Sequence, residues 1–182
     1  IIFWNFDNRS SWSSSDEGYI LLSNGSSKIE NWTKIPLPAG PFGFDKNKYN
    51  HAAAGDINND GFMDVVVAIT RDLPYYEGAY VQILLNNGTG GLVDVTESSF
   101  PDQPRSATHH GEGNIYLRDM NLDGSLDIVH STRDYNSGYH GSHIAINDGM
   151  GNFTSIENSK LPDKPDPGYN NYDFLMKALP IN

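Results

Sequence analysis

Asp56-Ile57-Asn58-Asn59-Asp60-Gly61-Phe62-Met63-Asp64-Val65-Val66-Val67 returns, 63 residues on (119 − 56), as Asp119-Met120-Asn121-Leu122-Asp123-Gly124-Ser125-Leu126-Asp127-Ile128-Val129-His130. Both copies read D-x-N-x-D-G-x-x-D and then run into β-branched residues. Oxygen side chains at positions 1, 3 and 5 with Gly at 6 make the front half of an EF-hand calcium loop. The glycine permits the sharp turn that folds those oxygens inward. An EF-hand closes with Glu at position 12, where this chain has Val67 and His130. Here the closing carboxylate is Asp64 or Asp127 at position 9, directly ahead of a strand. The expected setting is therefore strand-turn-strand. An Asp-Gly hairpin turn among scattered acids accounts for Asp60-Gly61 but not for the recurrence of five residue types at five places. Three carboxylates within nine residues also repel one another unless a cation offsets them. The all-oxygen donor set points to calcium at two sites and away from zinc or copper.

Composition narrows the function classes. The 182 residues suffice for one domain with a sizeable core. A net charge of −11 leaves no basic stripe for phosphate and disfavours nucleic acid and anionic membrane surfaces. With no cysteine there is no disulfide framework and no thiolate metal site. No apolar run approaches the ~18 residues of a membrane span. Weak calcium loops suit an extracellular, cell-surface or periplasmic setting. The start at Ile1-Ile2-Phe3-Trp4, without Met or a signal peptide, reads as an excised piece.

The repeat extends beyond the loops. Val65 to Ile69 is apolar on both faces and reads as a buried strand; Tyr80 to Leu85 is another. Asn86-Asn87-Gly88-Thr89-Gly90-Gly91 reads as a tight turn, and Leu92 to Thr96 as an alternating edge strand. The second copy supplies strands at Asn114–Leu117, Ile128–Ser131, His143–Ile146 and Phe153–Ile156, with a turn at Asn147-Asp148-Gly149. A partial copy comes first: Ile1 to Trp4 stands where Val65 to Val67 stands, and Tyr19 to Gly25 matches Gln82 to Gly88. Helical periodicity of useful length is absent. The expected fold is all-β: a β-propeller of four-stranded antiparallel blades, about three in 1–182, with boundaries near 1–44, 45–104 and 105–168.

These loops, the apolar strand after each, and the trailing Asn-Asn-Gly-Thr-Gly-Gly and Asn-Asp-Gly-Met-Gly-Asn-Phe-Thr turns resemble FG-GAP/VCBS repeats. Such repeats build the propellers of integrin α chains and many bacterial surface proteins. The resemblance covers nearly the whole chain, and the two loops are its specific part. It implies that each loop joins the innermost strand of a blade to the second. Carried over residue by residue, it implies calcium ligands Asp56, Asn58, Asp60 and Asp64 with the Phe62 carbonyl. The second set is Asp119, Asn121, Asp123 and Asp127 with the Ser125 carbonyl. The Phe-Gly and Gly-Ala-Pro signatures are not clearly present; Pro41-Phe42-Gly43 is a loose echo.

Other chemistry is thinner. His51, His109 and His110 stand before expected innermost strands, and His140 and His143 near a second-to-third-strand loop. Arg71-Asp72 and Arg133-Asp134 recur at an offset of 62, and Tyr75, Tyr76, Tyr135 and Tyr139 offer stacking surface. Together they would form a rim for a protein or glycan ligand, opposite the calcium loops. The plainer reading is that Arg-Asp pairs tie loops together and the histidines are solvated or hydrogen-bonded. A zinc site would need three or four convergent ligands from His109, His110, His140 and His143. There is no G-x-S-x-G elbow and no cysteine nucleophile, so no catalytic residue is assigned. Sequons at Asn8, Asn24, Asn31, Asn87 and Asn152 follow partly from Asn-Gly turns.

The expected function is a non-enzymatic calcium-binding propeller module for adhesion or ligand binding. The alternative is the propeller of a carbohydrate-binding or polysaccharide-degrading protein. Strand order B-C-D, A-B-C-D, A-B-C-D, A makes three blades if residues 169–182 complete the first. Three is below the four to eight that usually close a propeller. The expectation is thus a partial propeller, or half of a homodimeric ring with exchanged terminal strands.

Overall fold

The computed structural model describes residues 2–4, 19–40, 47–71, 79–103, 114–133 and 140–156. Among them, eleven strands form three antiparallel sheets. The first contains β1 (Ile2–Trp4), β2 (Tyr19–Leu22) and β3 (Thr33–Pro36), with a 3-10 turn at Ile29–Asn31 before β3. The second contains β4 (Asn47–Gly55), β5 (Asp64–Arg71), β6 (Ala79–Asn86) and β7 (Leu92–Asp94). The third contains β8 (Ile115–Arg118), β9 (Asp127–Arg133), β10 (His140–Asn147) and β11 (Phe153–Ile156). Every strand pairs with its neighbour in sequence, so each sheet is a simple meander. Among the described residues the three sheets stay separate and form no closed sheet. None of the described helices is long and apolar enough to cross a membrane.

The middle sheet is covered on both faces, which is why β5 is a continuous apolar run. Side chains alternate across a strand. Val65, Val67 and Ile69, with Tyr80 and Leu84, pack against Ile20 and Leu37 beside the first sheet. Val66 and Ala68, with Val81 and Ile83, pack against Ile115, Leu117, Ile128, Ala145 and Phe153 of the third. The three sheets are thus stacked through two apolar layers. Polar groups reinforce the stack. The Ile115 N–H donates to His51 Nδ1 at 3.2 Å, joining β8 to β4. Gln82 Nε2 donates to the carbonyl oxygens of Pro38 at 3.3 Å and Ala39 at 3.4 Å.

Two expectations from sequence need correction. The alternation over Leu92 to Thr96 does not become one strand: β7 ends at Asp94, and a single helical turn, α1 (Thr96–Ser99), follows. Asp94 Oδ1 accepts the Thr96 N–H at 3.0 Å and its hydroxyl at 2.6 Å, a local alternative to the ladder. The Thr96 Oγ1 in turn accepts the Ile83 N–H at 2.8 Å, and Gln103 exchanges two bonds with the Val81 backbone. Two side chains thereby satisfy the β6 edge that a longer strand would have covered. The second correction concerns the histidines. His51 lies within β4, just past a register irregularity after Tyr49, and His140 opens β10 opposite Arg133. Neither stands in a loop.

The two layers make a direct prediction. Ile83→Ala should cost about 2–5 kcal/mol, the range for truncating a fully buried aliphatic side chain. Val93→Ala, on the half-exposed β7, should change stability by about 0.5 kcal/mol or less. Urea unfolding followed by circular dichroism compares them; equal effects would contradict the burial of β6 between two sheets.

Candidate metal centre

Each D-x-N-x-D-G-x-x-D stretch is the connection from a first to a second strand, β4 to β5 and β8 to β9. Each starts where the first strand ends, turns through two left-handed residues and re-enters the sheet at its ninth position. Position 4 is Asn59 (φ 59°) or Leu122 (φ 63°), and position 6 is Gly61 (φ 89°) or Gly124 (φ 92°). Glycine takes that conformation without a Cβ penalty and asparagine tolerates it; leucine is a poor choice there.

Inside the turns the polar contacts repeat atom by atom. In the first loop Asp56 Oδ1 accepts the Asp60 N–H at 3.0 Å, and its Oδ2 accepts the Gly61 N–H at 2.9 Å. Asn58 Oδ1 accepts the Asp60 N–H at 3.2 Å, and its Nδ2 donates to Asp60 Oδ2 at 2.9 Å. Asp60 Oδ1 accepts the Phe62 N–H at 2.8 Å. The second loop has Asp119 accepting from Asp123 and Gly124 at 3.1 and 2.9 Å. Asn121 accepts the Asp123 N–H at 3.1 Å and donates to its side chain at 2.8 Å. Asp123 Oδ1 accepts the Ser125 N–H at 2.7 Å.

The ninth position behaves differently. Asp64 and Asp127 are wholly buried, and each spends both oxygens on backbone amides. Asp64 Oδ2 takes the Ile57 N–H at 3.0 Å and Oδ1 the Asn86 N–H at 2.8 Å. Asp127 takes Met120 at 2.7 Å and Asn147 at 2.9 Å. One carboxylate therefore fastens the start of its loop to the end of the third strand. Burial pushes both carboxyls above their ordinary value; the amide bonds oppose this, and the neighbouring loop carboxylates add to the rise. For Asp64 those neighbours are Asp60 and Asp56, and for Asp127 they are Asp123 and Asp119. Asp123 goes the other way, held down first by the Ser125 N–H.

The donor set fits a hard cation. In the first loop each oxygen of Asp56, Asp60 and Asp64 accepts a single hydrogen bond and keeps a second lone pair. The donors are all oxygen, and the other loop carboxylates lie close enough to raise the proton affinity of Asp64 and Asp127. Among the described residues, though, no three or more carboxylate or imidazole groups already converge as a metal cage. The loops hold their oxygens against their own amides. The ligand groups expected to complete the sets, Phe62 and Ser125, stand at position 7 of each loop, with Phe62 half-exposed and its ring over Gly88.

The turns after the third strands escaped sequence reading as part of this centre. Asn86 Oδ1 accepts the Gly88 N–H, and Asn147 Oδ1 accepts Gly149 and Gly151, at 3.0 to 3.1 Å. Asn147 Nδ2 also donates to the carbonyls of Leu126 at 3.0 Å and Ile57 at 2.7 Å. The signal was available: an Asn opens each of the two Asn/Asp-Gly turns.

The expected ligand rim is only partly placed. Arg71 ends β5 opposite Asn47, and Arg133 ends β9 opposite His140, both at the strand ends away from the loops. His51 Nδ1 is used by Ile115, its ring lies 5.7 Å from that of Tyr116, and burial pushes the imidazole below its ordinary value. Tyr75, His109 and His110 lie outside the described residues.

No family model matches the chain, and no solved structure matches it.

Asp64 provides a test that needs no metal. Asp64→Asn replaces one of two acceptors with an N–H2 facing an amide, so it should cost about 1–3 kcal/mol in chelator. The gap should also change with pH. A raised native pKa means the folded state keeps a proton that the unfolded chain has released, so that stability is lost as pH rises. The wild-type advantage over Asp64→Asn should therefore shrink as pH climbs just above the ordinary carboxylate range. Denaturant unfolding across pH checks it; a widening gap in chelator would contradict the burial effect.

Proposed function

We propose that the two loops are calcium sites that stiffen a stack of FG-GAP/VCBS-type blades, and that the chain is a non-enzymatic binding module working outside the cell. The observation that carries this reading is the duplication of the loop. Asp, Asn, Asp, Gly and Asp recur 63 residues apart with the same amide partners, the same left-handed positions and the same buried closing carboxylate. A turn needs only its glycine and one capping side chain. Three mutually repelling carboxylates per turn, kept twice, are explained by a cation.

The ligands would be Asp56, Asn58, Asp60, the Phe62 carbonyl and Asp64 in one site. In the other they would be Asp119, Asn121, Asp123, the Ser125 carbonyl and Asp127. Bound calcium supplies charge neutralisation and a rigid hub. The chain's own part is to present the oxygens. Asp56 and Asp119 curl the loop through its amides, and Asp64 and Asp127 tie that curl to the sheet. The three stacked meanders support a propeller segment, because each blade of a propeller is such a sheet packed face to face on the next. Strand ends opposite the loops, at Arg71, Arg133 and His140, are the face on which a protein or glycan would be read.

Calcium should raise the melting temperature. A site present only in the native state adds RT ln(1 + [Ca]/Kd), roughly 2.7 kcal/mol at a hundredfold excess over Kd. Asp60→Ala should remove the part of the shift due to the first site, Asp123→Ala the part due to the second, and the double variant nearly all of it. Melting that is the same in calcium and in chelator would contradict the proposal. Calcium should also reverse the pH trend at Asp64. The ion requires an ionised carboxylate, so the wild-type advantage over Asp64→Asn should grow with pH when calcium is present.

A further inference from the structure

Among the described residues the two loops are alike inside but differ in what they touch. Asn59, at position 4 of the first loop, donates from Nδ2 to the Gly149 carbonyl at 2.9 Å, reaching the β10–β11 turn of the next sheet. That turn answers with Asn147 Nδ2, which donates to the Ile57 carbonyl at position 2 of the first loop, at 2.7 Å. Gly151 closes the joint. It has φ 83°, and a Cβ added there would stand 3.4 Å from Asn58 Cβ. The first loop is thereby held at positions 2 and 4 by a turn some 90 residues away in the chain, with Gly151 lying close to position 3. In the second loop, position 4 is Leu122, which has no amide to give and is 78 % exposed.

We propose that the β10–β11 turn is a positioning element for the first calcium site. Asn59 and Asn147 are its positioning residues, so the first site binds calcium more tightly than the second and transmits its occupancy to the third sheet. This rests on the calcium reading of the loops. The physical reason is preorganisation. A loop already fixed in its binding conformation has less ordering left to lose when the ion enters. Coupling is reciprocal: if the turn strengthens calcium binding, calcium must strengthen the turn's hold by the same factor. Asn59 also suits the left-handed backbone at its position, so both its conformation and its amide serve the joint.

Single-site proteins separate the effects. Asp123→Ala leaves the first site and Asp60→Ala the second, and isothermal calorimetry with calcium chloride measures each. The first site should be the tighter. Asn59→Gly, made in the Asp123→Ala background, keeps the left-handed backbone accessible while deleting the side-chain bond. It should weaken calcium between about twofold and tenfold, the worth of one neutral hydrogen bond. A second readout follows the turn itself. In the Asp123→Ala protein, calcium should slow hydrogen exchange of the Gly149 and Gly151 amides, both bonded to Asn147 Oδ1. Asn59→Gly should diminish that protection. Equal affinities of the two sites, or calcium affinity and amide protection indifferent to Asn59→Gly, would overturn the coupling while leaving calcium binding intact. Absence of any calcium heat in the unmutated protein would instead remove the reading on which the coupling rests, and the coupling with it.

Discussion

A buried carboxylate holding two backbone amides is the contact on which each repeat depends. Asp64 and Asp127 sit where an acidic loop enters an apolar strand, out of water, and satisfy amides from the loop and from the third strand together. Burying an ionised carboxylate is costly unless it is hydrogen-bonded or paired. Two amides offset part of that cost, and the acids of the same loop add to it. The tension between these terms is the physical case for a cation. Without one, the residue that organises the loop is also the residue most strained by its neighbours.

From that contact the architecture extends in both directions. Toward the sheets, the carboxylate fixes the register in which β5 follows its loop. Register decides which alternate side chains face which neighbour. Val65, Val67 and Ile69 then meet the first sheet, and Val66 and Ala68 the third. A one-residue slip would exchange the two sets. Toward the surface, the same carboxylate places the Asn-led turns beside the loops, so that in one case a turn of the next sheet reaches over. Loop geometry and sheet stacking are consequences of one another.

Much of this was legible in the residues. The 63-residue repeat located both loops and β9, and the continuous apolar run Val65 to Ile69 located β5 because a strand buried on both faces loses the usual alternation. What was not legible has a common cause. The end of β7, the edge satisfied by Thr96 and Gln103, and the role of Asn147 all depend on side chains bonding distant or locally competing backbone. Periodicity carries no record of such bonds. Leu92 to Thr96 alternates correctly for a strand, yet Asp94 and Thr96 together favour a turn of helix. The histidines misled for a related reason: His51 and His140 read in sequence as lying beside strands but stand in them, and His51 is bonded across two sheets.

The central claim is that both loops take a hard divalent cation through carboxylate oxygens. The most direct measurement is the stoichiometry of calcium binding by equilibrium dialysis at neutral pH, beside the same protein carrying Asp60→Ala and Asp123→Ala together. The account predicts two calcium ions bound per chain and none at these sites in the double variant. Fewer than two ions on the unmutated chain, or two that persist in the double variant, would contradict it.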